Sequence, residues 1–159
     1  MEDLYMNPIE SLKLDNQICF AIYACSREIT KLYRPLLQDL GLTYTQYVTM
    51  LALWEKDNVT VSELGNRLYL DSGTLTPLLK KLESAGLVIR ARDRNDERSV
   101  LVTLTEAGEA LREKALDIPG QIVCQLNATP EEGAALLGQM NMLLDRMKSC
   151  SRRIDADES

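Results

Sequence analysis

Four cysteines carry the most reactive chemistry in this 159-residue sequence: Cys19, Cys25, Cys124 and Cys150. The sequence has no histidine, which excludes Ser–His and Cys–His catalytic pairs, histidine-ligated zinc and histidine-based pH sensing. The thiols are widely separated and form no C-x-x-C pair, so a zinc ribbon or a thioredoxin-type motif is excluded as well. No metal and no cofactor is expected. In a reducing compartment four such residues are expected as thiols rather than as a disulfide framework. Cys25 falls in the apolar stripe of the first long helical pattern and Cys150 closes the stripe of the last, and both read as small buried hydrophobes. Cys19 differs. It lies well off the stripe and in the first helical turn, where open backbone N–H groups and the helix dipole favour a thiolate. On spacing alone an inert cysteine is the default there.

A second group of residues suits nucleic-acid chemistry. Ser72, Thr74, Thr76 and Lys80 lie along one short helical pattern, and their hydroxyls and ammonium suit base edges or phosphates. Arg94 and Arg98 lie in a charged tip, Asp93 to Arg98, with Arg90 and Arg92 just before it, and arginine is the side chain used to enter a narrow minor groove or grip phosphate. The net charge of −6 argues against indiscriminate DNA binding. Yet residues 77–104 hold six basic side chains against four acidic ones, a locally positive segment on an acidic chain.

The elements that must position these residues are legible from caps and periodicity. A helix is expected from an N-cap at Asp15 or Asn16, with Leu14, Ile18, Ala21, Cys25, Ile29, Leu32 and Leu36 as its stripe and a kink or end at Pro35. A second runs from Thr43 or Thr45 to Lys56, with Tyr47, Leu51 and Trp54 on one face. Thr60 to Glu63 is a capping box opening a short helix, and Asp71 or Ser72 caps the next, which stops at Gly86. Leu87 to Arg92 and Ser99 to Leu104 then switch to β-branched patterning and read as a hairpin. A helix follows from Thr105, Pro119-Gly120 interrupts it, and Thr129 to Glu132 is a second capping box opening a last helix. The expected fold is mostly α with a small β-hairpin wing, a winged helix-turn-helix with N- and C-terminal dimerisation helices. The expected organisation is an N-terminal dimerisation helix carrying Cys19 in residues 1–40, the DNA-binding lobe in 41–104 and C-terminal dimerisation helices in 105–159. No apolar run reaches the length of a membrane span and the first residues are acidic, so a cytoplasmic, membrane-free protein is expected.

Together these motifs resemble the MarR family of winged-helix regulators. The likeness rests on Leu42 to Tyr47, Ser62 to Gly65, Leu82 to Val88, Asp96 to Ser99 and Leu104 to Gly108. Within that family, Leu14 to Tyr23 is similar to the segment holding the peroxidatic cysteine of the organic-hydroperoxide-sensing branch (OhrR). The resemblance implies that Cys19 is the sensing thiol, that Tyr33 and Tyr44 hydrogen-bond its sulfur, and that Cys124 is the resolving thiol, reached across subunits. It implies a homodimeric repressor, not an enzyme, that binds a palindromic double-stranded operator and releases it when an organic hydroperoxide oxidises Cys19. The alternatives are a MarR-type repressor released by a small aromatic ligand and, less favoured, a thiol peroxidase. One geometric argument stands beside the resemblance. Cys19 and Tyr33 are 14 positions apart, about 21 Å along a helix at 1.5 Å per residue, so they cannot meet within one straight helix, whereas antiparallel first helices of a two-fold dimer could bring them together.

Overall fold

The computed structural model describes residues 8–93, 96 and 98–157, and its contacts gather into two units, one ending at Leu116 and one beginning at Asp117. Among the described residues no helix is long and apolar enough to cross a membrane.

The first unit opens with a single helical turn, α1 (Pro8–Ser11), and a 3-10 turn at Leu14–Asn16. Asp15 and Asn16, the expected caps, lie inside that 3-10 turn, and α2 (Ile18–Gln38) starts from Gln17 without a side-chain cap. The reason is local: the Asn16 side chain donates to the Glu10 carbonyl at 2.8 Å, and the Gln17 side chain donates to the Ser11 carbonyl. These amides hold the preceding turn instead of capping the following one. Cys19 still falls in the first turn of α2. The expected end or kink at Pro35 does not stop the helix, which continues to Gln38. Leu37, 1% exposed, anchors the segment beyond the proline, and packing of this kind supplies most helical stability.

Next comes α3 (Tyr44–Glu55), opened by a reciprocal capping box between Thr43 and Gln46. Its buried face is Tyr47, Thr49, Met50 and Leu53 rather than Tyr47, Leu51 and Trp54. Leu51 is 41% exposed, and Trp54 is half-buried with its indole N–H donated to the Gly108 carbonyl at 2.9 Å. The helix is apolar on nearly all sides, so spacing alone does not select the face that packs.

Then β1 (Val59–Thr60) leads into α4 (Val61–Leu68), where the Thr60–Glu63 capping box forms as read. Tyr69 closes α4 in the left-handed region at φ 57°, and Asp71 caps α5 (Ser72–Ser84) by accepting the Thr74 N–H. Leu64, Leu75, Leu79 and Leu82 form the core of this helix-turn-helix. Gly86, at φ +72°, turns the chain from α5 into β2 (Val88–Arg92), which pairs with β3 (Val100–Leu104) in the register Val88–Leu104 and Arg92–Val100. The two-residue β1 pairs on the other side of β3, giving a sheet of order β1-β3-β2 with β2 at an edge. Thr105 then caps α6 (Glu106–Ala115). A Cβ on Gly108 would lie 2.0 Å from the Leu87 carbonyl oxygen, so the helix approaches the hairpin only with glycine there.

In the second unit, α7 (Ile118–Gln125) carries Pro119 in its first turn, so the break precedes Pro119-Gly120 and falls at Leu116 and Asp117. Proline fits a first turn, whose N–H groups have no helical partner. Thr129 and Glu132 form the second capping box, and α8 (Pro130–Asp157) follows.

Candidate nucleic-acid interface and redox thiols

The start of α5 meets the base of the hairpin in an open groove of about 480 Å³. Ser72 and Thr76 line it from α5, Arg98 and Arg90 from the hairpin, and Ser62 and Asn66 from α4. Three of the residues singled out from sequence, Ser72, Thr76 and Arg98, are therefore brought together. Thr74 is not part of the lining: its hydroxyl donates to the Asp71 carboxylate at 2.9 Å, so it belongs to the cap. Lys80 and Arg92 are exposed, and neither lines the groove. Arg94 lies outside the described residues. Arg92 and Arg98 are both exposed. Ser62 and Asn66 were missed in the sequence. Their signal is that α4 buries Leu64 and Gly65 and leaves these two polar positions facing out.

The second candidate is the thiol region. Cys19 is exposed on the first turn of α2, where the uncapped Gln17 leaves the first N–H groups without a side-chain acceptor. At the other end of the same helix, Tyr33 stacks against Tyr44 with ring centroids 4.8 Å apart, and against Tyr47 at 5.7 Å. Burial, helped by the two neighbouring phenols, pushes the Tyr33 hydroxyl up to about 12. Burial and Tyr44 likewise raise Tyr47. The Tyr33 hydroxyl thus remains a protonated donor throughout the neutral range. The structure joins the two tyrosines read from sequence and adds Tyr47, which is 1% exposed and part of the core.

Cys19 and Tyr33 stand on one continuous helix, about 21 Å apart at 1.5 Å per residue, so a single chain does not unite them. Cys124 is exposed on α7. Cys25 and Cys150, expected buried, are exposed too. The cause is visible in the stripes they belong to. On α2, Ile18 is 66% exposed, and on α8 Leu136, Leu137, Met140 and Met147 are all exposed. One copy of the chain leaves these apolar faces uncovered.

Comparison with known proteins places the chain. Residues 31–115 match the family model for transcriptional regulator SarA/Rot. The organic hydroperoxide resistance transcriptional regulator of Bacillus subtilis (strain 168) is 50% identical over 141 residues, covering 89% of this chain and 96% of its own length. The chain belongs to the MarR family of transcriptional regulators. Among solved structures, reduced AbfR bound to DNA is 33% identical, with a TM-score of 0.71 over 87% of this chain and 96% of that one. Disulfide-formed AbfR is also 33% identical, with a TM-score of 0.60 over 91% and 99%. AbfR comes from Staphylococcus epidermidis. In this MarR-family chain the helix-turn-helix and hairpin are the elements that present Ser72, Thr76 and Arg98 along one groove.

Proposed function

We propose that the protein is a homodimeric, cytoplasmic repressor that binds a palindromic operator when reduced and releases it when an organic hydroperoxide oxidises Cys19. The thiolate of Cys19 attacks the distal peroxide oxygen, the O–O bond breaks, and the alcohol leaves, so sulfur becomes a sulfenic acid. The Cys124 thiol of the partner subunit then displaces water from that sulfenic acid and forms an intersubunit disulfide. Tyr33 and Tyr44 of the partner subunit donate to the Cys19 sulfur. The observation that carries this reading is the length of α2. It holds Cys19 and the tyrosine pair about 21 Å apart in one chain and leaves apolar residues between them exposed, which supports a site completed by a second copy. A B. subtilis relative named for organic hydroperoxide resistance and an AbfR chain solved bound to DNA support the same reading. The groove formed by Ser72, Thr76 and Arg98 is the surface offered to DNA, with Arg92 and Lys80 as flanking cations and Thr74 holding the helix start; Arg94 is a further DNA-binding candidate by sequence alone.

The test is a DNA mobility shift with and without organic hydroperoxide, beside a non-reducing gel. Wild type should release DNA and run as a covalent dimer that reductant reverses. Cys19→Ser should bind DNA and ignore hydroperoxide. Cys124→Ser should be oxidised at Cys19 yet form no covalent dimer. Release by Cys19→Ser as readily as by wild type would refute the sensing assignment and favour a repressor released by a bound ligand.

A further inference from the structure

Among the basic side chains around the DNA groove, Arg90 behaves differently from the rest. Its Nη2 donates to Glu83 Oε2 at 2.7 Å, its Nε donates to the same oxygen at 3.0 Å, and its backbone N–H donates to Glu83 Oε1 at 3.1 Å. The carboxylate is thus engaged through both oxygens, and the arginine through its fork and its main chain. Such charge-assisted, multidentate pairs are the strong ones. The two side chains are partly buried, at 21% and 37% exposure. The Arg90 guanidinium beside Glu83 holds that carboxylate below its ordinary range, so the pair stays charged through neutral pH.

The position of the pair gives it a role. Glu83 lies in the last turn of α5 and Arg90 in the middle of β2. Between the two elements the chain passes through only Ala85, Gly86 and Leu87, with Gly86 in the left-handed region. A three-residue joint centred on glycine is permissive, so on its own it sets the angle of the hairpin only loosely. β2 is the edge strand, and the Arg90 N–H that a central strand would use for pairing goes to Glu83 instead. The pair therefore crosses the joint and ties the edge of the wing to the end of the helix that lines the groove.

We propose that Glu83 and Arg90 form a clamp that positions the wing against α5, so that Arg98 and the helix side chains Ser72 and Thr76 engage one duplex together. The pair is a positioning pair, not a DNA contact. This rests on the DNA-binding reading above. It yields a sign that electrostatics alone would reverse. Removing a carboxylate from a DNA-facing lobe of an acidic protein strengthens non-specific binding, because repulsion from phosphate falls. Removing a positioning group weakens specific binding.

The experiment uses the full-length reduced protein and two duplex probes: one selected by wild type from a random-sequence pool, and one of shuffled sequence. Glu83→Gln should bind the selected duplex roughly tenfold more weakly, the size of one lost charge-assisted hydrogen bond. It should bind the shuffled duplex as well as wild type or better. Arg90→Lys keeps the charge and loses the fork, so it should show the same loss, with an unchanged slope of log affinity against log salt. It serves as the second variant if Glu83→Gln does not fold by circular dichroism. Equal or tighter binding of the selected duplex by a folded Glu83→Gln or Arg90→Lys protein would overturn the clamp. So would a slope reduced by about 0.9 in Arg90→Gln, since that makes Arg90 a phosphate contact. If wild type itself selects no duplex, the DNA-binding reading fails first and the clamp fails with it.

Discussion

The register of the proposed dimer follows from α2 alone and can be tested without any peroxide. If Cys19 of one copy faces Tyr33 of the other across a two-fold axis, the axis passes midway between them, at Ser26. At 1.5 Å per residue, the two copies of any α2 residue are then displaced along the helices by about 3 Å for each position away from 26. At about 100° per residue, Ser26 also lies midway around the helix, about 20° from the directions of both Cys19 and Tyr33. It is therefore on the facing side as well as at the centre, and it is exposed in the single chain. Helix axes about 8–10 Å apart, with Cα atoms about 2.3 Å from each axis, leave the two facing Cα atoms about 3.5–5.5 Å apart. That overlaps the range of about 4.4–6.8 Å that a disulfide spans. Glu28 is a suitable control: exposed, ion-paired with Lys31 on its own helix, and about 160° around the helix from Ser26. Two cysteines there would have Cα atoms about 13 Å apart or more, beyond any disulfide. In a background with the four native cysteines changed to serine, Ser26→Cys treated with oxidised glutathione at low micromolar concentration should run as a covalent dimer. Glu28→Cys should not. Crosslinking of Glu28→Cys at a rate equal to Ser26→Cys, or none at Ser26→Cys, would refute the antiparallel register and with it the shared Cys19–Tyr33 site.

Three further outcomes are expected. Gly108→Ala places a Cβ 2.0 Å from the Leu87 oxygen and 3.2 Å from Leu104 Cδ2. It should cost about 3 kcal/mol or more, read as a melting temperature lowered by about 6 °C or more; an unchanged melt would mean that α6 shifts freely on the hairpin. Arg98→Ala should weaken binding to a selected duplex by roughly 1–3 kcal/mol if it reads bases, or flatten the salt slope by about 1 if it touches phosphate, and Arg94→Ala should behave alike. Unchanged affinity at several salt concentrations would remove the wing from the interface. Tyr33, raised to about 12 from an ordinary 10.0, favours the folded state fully below the lower value and loses that contribution as pH rises through the higher one. Tyr33→Phe should therefore show a shallower decline of the urea midpoint across that alkaline window, and it should slow Cys19 oxidation without loss of DNA binding. A decline as steep as that of wild type would show that Tyr33 is not the group titrating.

Local chemistry was the legible part of the sequence. The Thr60–Glu63 and Thr129–Glu132 boxes depend on residues three positions apart, and both formed as read. The β2–β3 hairpin was legible because its patterning contrasts with the helices on either side. What was not legible depends on the third dimension. Asp15 and Asn16 are good caps by type, but the side chains of Asn16 and Gln17 found nearer acceptors on the preceding turn. The two-residue β1 is too short to show a period. Leu51 and Met50 are equivalent by composition, and only the packing of α3 decides which is buried. The contact of the Tyr47 ring with Tyr33, and the Glu83–Arg90 pair across a glycine joint, join different elements, and the periodicity of a single element does not show them. Cys25 and Cys150 were assigned to buried stripes, and the stripes are present, but a single chain does not bury them.

In the proposed dimer the tyrosine cluster is the route by which chemistry on one subunit would act on the DNA-binding lobe of the other. Tyr33 belongs to α2, whereas Tyr44 and Tyr47 belong to the first turn and a half of α3, and their rings form the joint between these helices. Tyr47 is wholly buried, so a displacement of its ring is not absorbed by solvent but passed to its neighbours in a close-packed core. The same helix α3 packs against α4 and α5, the two helices of the DNA-binding motif. In the proposed dimer the sulfur of Cys19 hydrogen-bonds the hydroxyls of Tyr33 and Tyr44 on the partner. A disulfide with Cys124 draws that sulfur toward a different side chain, so the two phenols lose an acceptor at the α2–α3 joint. The exposed thiol and the exposed groove are then coupled through three rings and one helix, with no ligand cavity needed between them. A repressor released by an aromatic ligand would need such a cavity, and the sensor proposed here needs only that the second copy be present.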